Sequence, residues 1–187
     1  MIDFDKLRKE VYDRLADENT GHDYSHIMRV FKYAVLIAQA EDNVDMDVLK
    51  AAALLHDIAY AENFVEGEYA KKSESIAKNL LQEKYFSEDK IEKILNTIRD
   101  HNIWVQFNRD VDIETKILRD ADRLDYLGYT GIIRAVAHAS HTKKTPMTAL
   151  QETVEFESQF ETAKGKELSK DRLRVSKEFL KGLEEDY

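Results

Sequence analysis

The sequence predicts an all-α protein, a single compact multi-helix bundle, on two observations. Proline occurs once and glycine six times in 187 residues, so strong helix breakers are scarce. Long stretches rich in Ala, Leu, Lys and Glu also place apolar residues at the helical period, and no stretch requires a sheet. Phe4 to about Ala16 reads as a first helix. Tyr24 to about Gln39 is a second, with Ile27, Phe31, Ala34 and Ala38 on one face and His26 on a neighbouring stripe with Val30, Tyr33 and Ile37. Asp47 to Tyr60 is a third, in which Leu49, Ala52, Ala53 and His56 follow the helical period and the small alanines permit close approach by a neighbour. Tyr69 to Lys84 is a fourth, and Ser87 is the expected N-cap of a fifth running to about His101.

The segment from Asn102 to Asp110 reads as a loop with aromatic anchors. Asp112 to Leu118 is helical and leads into the acidic stretch Asp120-Ala-Asp122-Arg-Leu-Asp125. Gly128 and Gly131 bracket a tight approach or a break before a helix that reaches about His141. Thr145-Pro146 combines an N-cap with proline at the first helical position, a strong start signal. That helix is expected to run to about Ala163 and to end at Gly165, with Ser169 capping a terminal helix that carries Leu173, Leu180 and Leu183. No repeat or linker divides the chain, so one domain over 1–187 is expected, its core in about 20–135 and helices in 146–185 packing on it.

Composition narrows the function classes. Absent cysteine excludes disulfides, thiolate metal sites and a cysteine nucleophile, and suits a cytoplasmic location. No run approaches about 18 consecutive apolar residues and the N-terminus lacks a signal-peptide pattern, so no membrane association is expected. The formal charge is −9, from 37 acidic and 28 dispersed basic residues. Duplex nucleic acid is therefore disfavoured as a partner, because binding it needs a broad basic face. A small phosphorylated substrate remains compatible, since one cation and one or two Arg or Lys residues reverse the local sign. Nothing in the sequence sets an oligomeric state.

His56-Asp57 closes the apolar run Ala51-Ala-Ala-Leu-Leu55. A histidine and a carboxylate are costly to bury there without a partner, and a divalent cation satisfies both. Adjacent helical residues point about 100° apart, so an ion shared by His56 and Asp57 sits at the rim of their helix and other helices complete its shell. His26 and an aspartate of the later acidic stretch are the natural donors. Such a His and carboxylate set accepts one Mn, Fe, Co, Mg, Ni or Zn ion and leaves room for water or a substrate oxygen.

The order His26, His56-Asp57 and Asp122, with the flanking words Gly21-His-Asp-Tyr-Ser-His26 and Arg119-Asp-Ala-Asp-Arg-Leu-Asp125, resembles the HD superfamily of metal-dependent phosphohydrolases, and within it a bacterial single-domain subgroup. The resemblance covers roughly residues 20 to 135. It implies an all-α fold, one divalent cation held by His26, His56, Asp57 and Asp122, and hydrolysis of a phosphate ester or anhydride, often of a nucleotide. Asp122 is chosen over Asp120 and Asp125 by the family word; Asp120 alternatively reads as an N-cap and Asp125 as a partner of Arg123 or of a neighbouring helix. Some branches carry an acidic catalytic aid three positions after the His-Asp aspartate, where this chain has Tyr60.

Asp57, Asp23 or Glu62 is left to activate water, and a metal- and nucleotide-binding regulatory module with little turnover is the alternative function. No paired histidines lie between His101 and Asp122, which favours one metal over two. His101, Lys71 and Lys72 are the expected substrate-phosphate contacts. His22 and Arg123 are expected to support the ligands, Arg123 as an ion-pair partner of the aspartates. Tyr60, Trp104, Phe107 and Tyr126 either stack on a base or fill the core. His138 and His141 match no family position and read as surface residues.

Overall fold

The computed structural model describes residues 3–62, 67–82, 86–102 and 110–186, so Trp104 and Phe107 lie outside the described residues. The described residues are all-α with no strand. Helix α1 (Phe4–Arg14) starts where the Asp3 carboxylate accepts the Lys6 N–H, and it buries Leu7 and Val11. Helix α2 (Tyr24–Ala38) is capped by Asp23 and buries His26 together with Ile27, Val30, Phe31, Ala34 and Ile37. Helix α3 (Met46–Leu55), capped by Asp45, is apolar on every side from Ala51 to Leu55 and runs through the middle of the core.

The third helix is shorter than expected. It stops at Leu55, and the chain tightens into a 3-10 turn, Ile58–Ala61. The His56 ring takes the Ala53 carbonyl by its Nδ1–H at 2.9 Å, and the Ser73 hydroxyl fastens the turn by accepting the Ala59 N–H at 3.1 Å. Helices α4 (Tyr69–Gln82) and α5 (Glu88–Asp100) follow as an adjacent pair. Ser87 stands at the N-cap position without a side-chain cap bond.

Helix α6 (Ile113–Asp125) absorbs the acidic stretch whole, and every residue from Ile117 to Asp125 is buried. Its charges are satisfied in two directions. Asp122 and Asp125, three residues apart, face α2, while Arg119, Asp120 and Arg123 face the chain entering the last helix. Helix α7 (Gly128–His141) begins at Gly128, whose φ is +72°. Gly131 lies inside its first turn and produces no break. Any Cβ there would overlap the Tyr126 carbonyl, so of the two readings the tight approach is the one found.

The C-terminal boundaries also differ from expectation. Helix α8 (Pro146–Val154) starts at Thr145-Pro146 but gives way to a 3-10 turn, Glu155–Gln159, and α9 (Ala163–Glu185) then runs unbroken through Gly165 and Ser169. Thr162 caps α9 by accepting the Gly165 N–H at 3.0 Å, and Ser169 bonds back to Lys166 within the helix. Asp120 on α6 accepts the Glu161 and Thr162 N–H groups and the Thr162 hydroxyl. It therefore caps the start of α9 from outside, not its own helix. Gly165 is small because the Asp120 carboxylate occupies the space a Cβ would need.

The main apolar core draws on α1 to α6 with Phe156, Phe160 and Leu173. A second apolar cluster, Ile132, Ala135, Ala139, Ala149, Leu150 and Leu180, joins α7, α8 and α9. No helix among the described residues is long and apolar enough to cross a membrane.

Candidate metal centre

Three chain segments bring their polar ends together beside the main core. His26 comes from the first turn of α2, His56 and Asp57 from the end of α3, and Asp122 from α6, and all four are at most 3% exposed. His26 Nε2 lies 3.2 Å from His56 Nε2 and 3.3 Å from Asp57 Oδ2, which is itself 3.4 Å from His56 Nε2. Asp122 Oδ1 is 3.8 Å from His26 Nε2. His101, the residue after α5, closes the far side with Nε2 3.6 Å from Asp57 Oδ1.

The second nitrogen of each ring is already committed. His26 Nδ1 meets Asp125 Oδ2 at 2.9 Å, His56 Nδ1 donates to the Ala53 carbonyl, and His101 Nδ1 donates to the Ile98 carbonyl. In the neutral rings the lone pairs therefore reside on Nε2 and converge on the carboxylates. Asp57 Oδ1, Asp122 Oδ1 and His101 Nε2 have no hydrogen-bond partner. Converging lone pairs with no donor between them are costly to bury, and a cation supplies what they lack. His26, His56 and Asp122 form one group able to hold a metal, and His56, Asp57 and His101 form another. The residues present thus fit a divalent ion.

The protonation states follow from the same arrangement. Burial dominates at His56 and, despite Asp57, lowers its pKa to about 3, leaving the imidazole neutral as a ligand must be. Burial and the Arg134 charge act against a second proton on His26, but Asp125, Asp57 and the Asp122 charge outweigh them and raise its pKa, so a proton on Nε2 and a cation are alternative answers to the same carboxylates. Burial would push Asp57 up, yet the surrounding imidazoles hold it well below the usual carboxylate range. At Asp122 burial wins, reinforced by the Asp57 charge, and the pKa rises. These two carboxylates compete for one patch of positive potential.

Asp125 is fully buried and accepts from His26 Nδ1, from Arg29 through two nitrogens at 2.6 and 3.0 Å, and lies 3.0 Å from Arg134 Nη1. It fixes the His26 tautomer with Nε2 turned toward the cluster. Of the two partners the sequence allows for Asp125, Arg123 or a neighbouring helix, the neighbouring helix is the one found. The available signal was spacing: Asp122 and Asp125 are one helical turn apart, as are His26 and Arg29.

The other expected site residues are dispersed. The Asp23 carboxylate accepts the His26 N–H at 2.8 Å and the Ser25 hydroxyl, so it caps α2 and steadies the backbone beneath His26. Glu62 pairs with Lys72 at 2.9 Å, and Lys71 is exposed beside Glu68. Arg123 pairs with Asp120 at 3.1 Å and Glu161 at 3.0 Å, on the α9 side of α6. His22 is buried, within 3.3 Å of the Tyr126 hydroxyl, and stacks on Tyr60 with ring centres 3.7 Å apart. Tyr69 extends this aromatic wall between Tyr60 and His101. His141 is exposed as expected, but His138 is half-buried with its ring against His22. It faces inward because α7 turns the side that carries Arg134 and His138 toward the Gly21-His22 loop.

Comparison with known proteins agrees with this architecture. The HD domain family model matches residues 23–127, and the chain belongs to that family. It is similar to YpgQ of Bacillus subtilis strain 168, at 26% identity over 195 aligned residues covering 97% of this chain and 92% of that protein. A solved structure of B. subtilis YpgQ in complex with ADP superposes with a TM-score of 0.76 at 27% identity, covering 97% and 96% of the two chains. A protein from an uncultured Thermotogales bacterium, described as a predicted HD superfamily hydrolase, has a TM-score of 0.71 at 25% identity, covering 97% and 91%.

Proposed function

We propose that the chain is a metal-dependent phosphohydrolase acting on a small phosphate ester or anhydride, with a nucleotide as substrate class. One divalent ion is held by His26, His56, Asp57 and Asp122. The observation that carries this reading is the convergence of imidazole and carboxylate lone pairs, with Asp57 Oδ1 and Asp122 Oδ1 unpartnered in the interior. Membership of the HD family supports hydrolysis, and the ADP complex of YpgQ supports a phosphorylated nucleotide as ligand.

Such an ion supplies Lewis-acid polarisation of a phosphoryl oxygen and acidifies a water. Asp125 holds His26 in the ligating tautomer, and the Ala53 carbonyl does the same for His56. Of the three carboxylates considered for water activation, Asp57 has its oxygens in the cluster, whereas Asp23 is engaged in capping and Glu62 in an ion pair. Asp57 Oδ1 with His101 Nε2 opposite forms the route by which a proton leaves the attacking water, in place of the acid absent at Tyr60. His101 also stands where it can meet a substrate phosphate.

The test begins with metal analysis of protein purified without chelators or a metal-affinity tag, then a phosphate-release screen over nucleotides with that ion restored. The wild type is expected to retain about one ion per chain, and His56→Ala to lose both ion and turnover while keeping its helical circular-dichroism signal. Turnover by metal-free protein overturns the reading. Saturable nucleotide binding without product across several metals makes the chain a binding module instead.

A further inference from the structure

Arg134, in the second turn of α7, carries a buried guanidinium that the ligand set does not use. Its side chain is 5% exposed. Nε–H donates to the Gly21 carbonyl at 2.7 Å, and the guanidinium lies 4.2 Å from the centre of the Tyr126 ring. Gly21 has φ +98°, a conformation glycine adopts freely, and a Cβ there would touch the Arg134 backbone. The guanidinium is thus held from three sides, by Gly21, Tyr126 and Asp125. Its Nη2 nevertheless has no hydrogen-bond partner. One turn further on, His138 Nδ1 is also buried without a partner, next to His22.

Unused donors on a buried cation are expensive, and an anion would satisfy them. Charge counting agrees. Asp57, Asp122 and Asp125 face Arg29 and Arg134, which leaves the cluster one charge short of neutral with the imidazoles uncharged. A divalent ion turns that deficit into an excess of one positive charge; without Arg134 the sum is zero. Arg134 approaches from the Asp125 side of the His26 ring, whereas the ligating Nε2 faces the opposite side. The contact that places Arg134 thus lies outside the ligand set, on the Nδ1 side of His26.

We propose that Arg134 anchors a second phosphate of the substrate through Nη2, with His138 beside it, so that the site selects anhydride-linked phosphates over monoesters. The substrate class is then a nucleoside di- or triphosphate. The proposal rests on the phosphohydrolase reading above. A guanidinium fork suits this task because it offers paired donors in the geometry of phosphate oxygens, which a lysine ammonium lacks.

The test measures binding, so it does not depend on turnover. Metal-loaded full chain, freed of excess ion, is titrated with α,β-methylene-ADP and with AMP. The wild type is expected to prefer the diphosphate by about tenfold or more. Arg134→Lys keeps a cation beside Asp125 but removes the fork. It is expected to lose roughly 10- to 100-fold in diphosphate affinity, with AMP affinity and metal content unchanged. Arg134→Gln is expected to shift the same way and further. Retention of the diphosphate preference in Arg134→Lys overturns the proposal, as does loss of metal in parallel with it, which would make Arg134 a support for Asp125 alone. Absence of phosphate release from any nucleotide by the wild type overturns the hydrolase reading, while the binding difference still decides the role of Arg134.

Discussion

At the scale of single residues, Asp125 shows how a buried charge is stabilised and then used. Burial alone would raise its pKa, but the His26 hydrogen bond and the Arg29 and Arg134 guanidinium groups hold it well below the usual carboxylate range. A carboxylate depressed in the folded state contributes stability that is complete above its unfolded pKa of about 3.9 and is lost as pH falls below it. Asp125→Asn removes that contribution and leaves two guanidinium groups without their anion. Breaking a buried pair in this way costs about 3–5 kcal/mol, read as a lowered denaturant midpoint at neutral pH. The gap between wild type and variant is expected to narrow as pH drops below about 4. Because His26 also loses its tautomer anchor, metal affinity in the variant is expected to fall by roughly 10- to 100-fold. Unchanged metal affinity would show that His26 is oriented by other contacts.

Among the elements, α7 and α9 approach α6 and the residue that follows it closely at two glycines. Gly131 lets the first turn of α7 lie on the Tyr126 carbonyl, and Gly165 lets α9 start against Asp120. The two positions differ in what a methyl group would meet. At Gly131 it meets main chain, which moves only with its helix; at Gly165 it meets the ends of the Asp120 and Thr162 side chains. Gly131→Ala is therefore expected to destabilise by about 1–3 kcal/mol or more, despite the gain of up to ~1 kcal/mol in helix propensity. Gly165→Ala is expected to cost less. Equal thermal midpoints for the two alanine variants would contradict this ranking.

For the whole molecule, the candidate ligand cluster joins three segments distant in sequence: the start of α2, the end of α3 and the last turn of α6. An ion bound there ties these elements together and binds the folded chain alone, so it must stabilise the fold. At an ion concentration about 100 times Kd the gain is roughly 2.7 kcal/mol. For a chain of this size that corresponds to a rise of roughly 5–11 °C in thermal midpoint. A thermal scan with Mn2+ and with a chelator is expected to show that rise and its reversal in the wild type, and neither in His56→Ala. An identical rise in the variant would place the ion elsewhere.

The sequence by itself determined the all-α class, the order of the helices, the start of α8 and the histidine and aspartate words, because these depend on local periodicity, capping and residue chemistry. The ends of α3 and α8 and the start of α9 fall elsewhere than the sequence pattern places them. Ser73 of α4 fastens the turn that follows α3, and Asp120 of α6 sets the start of α9. The tertiary structure alone decided that Asp125 orients His26, that Glu62 and Lys72 pair, and that Arg134 and His138 turn inward. Each of those roles depends on which charge meets which partner across helices, and helical period fixes a residue's face but not the neighbour that face will find.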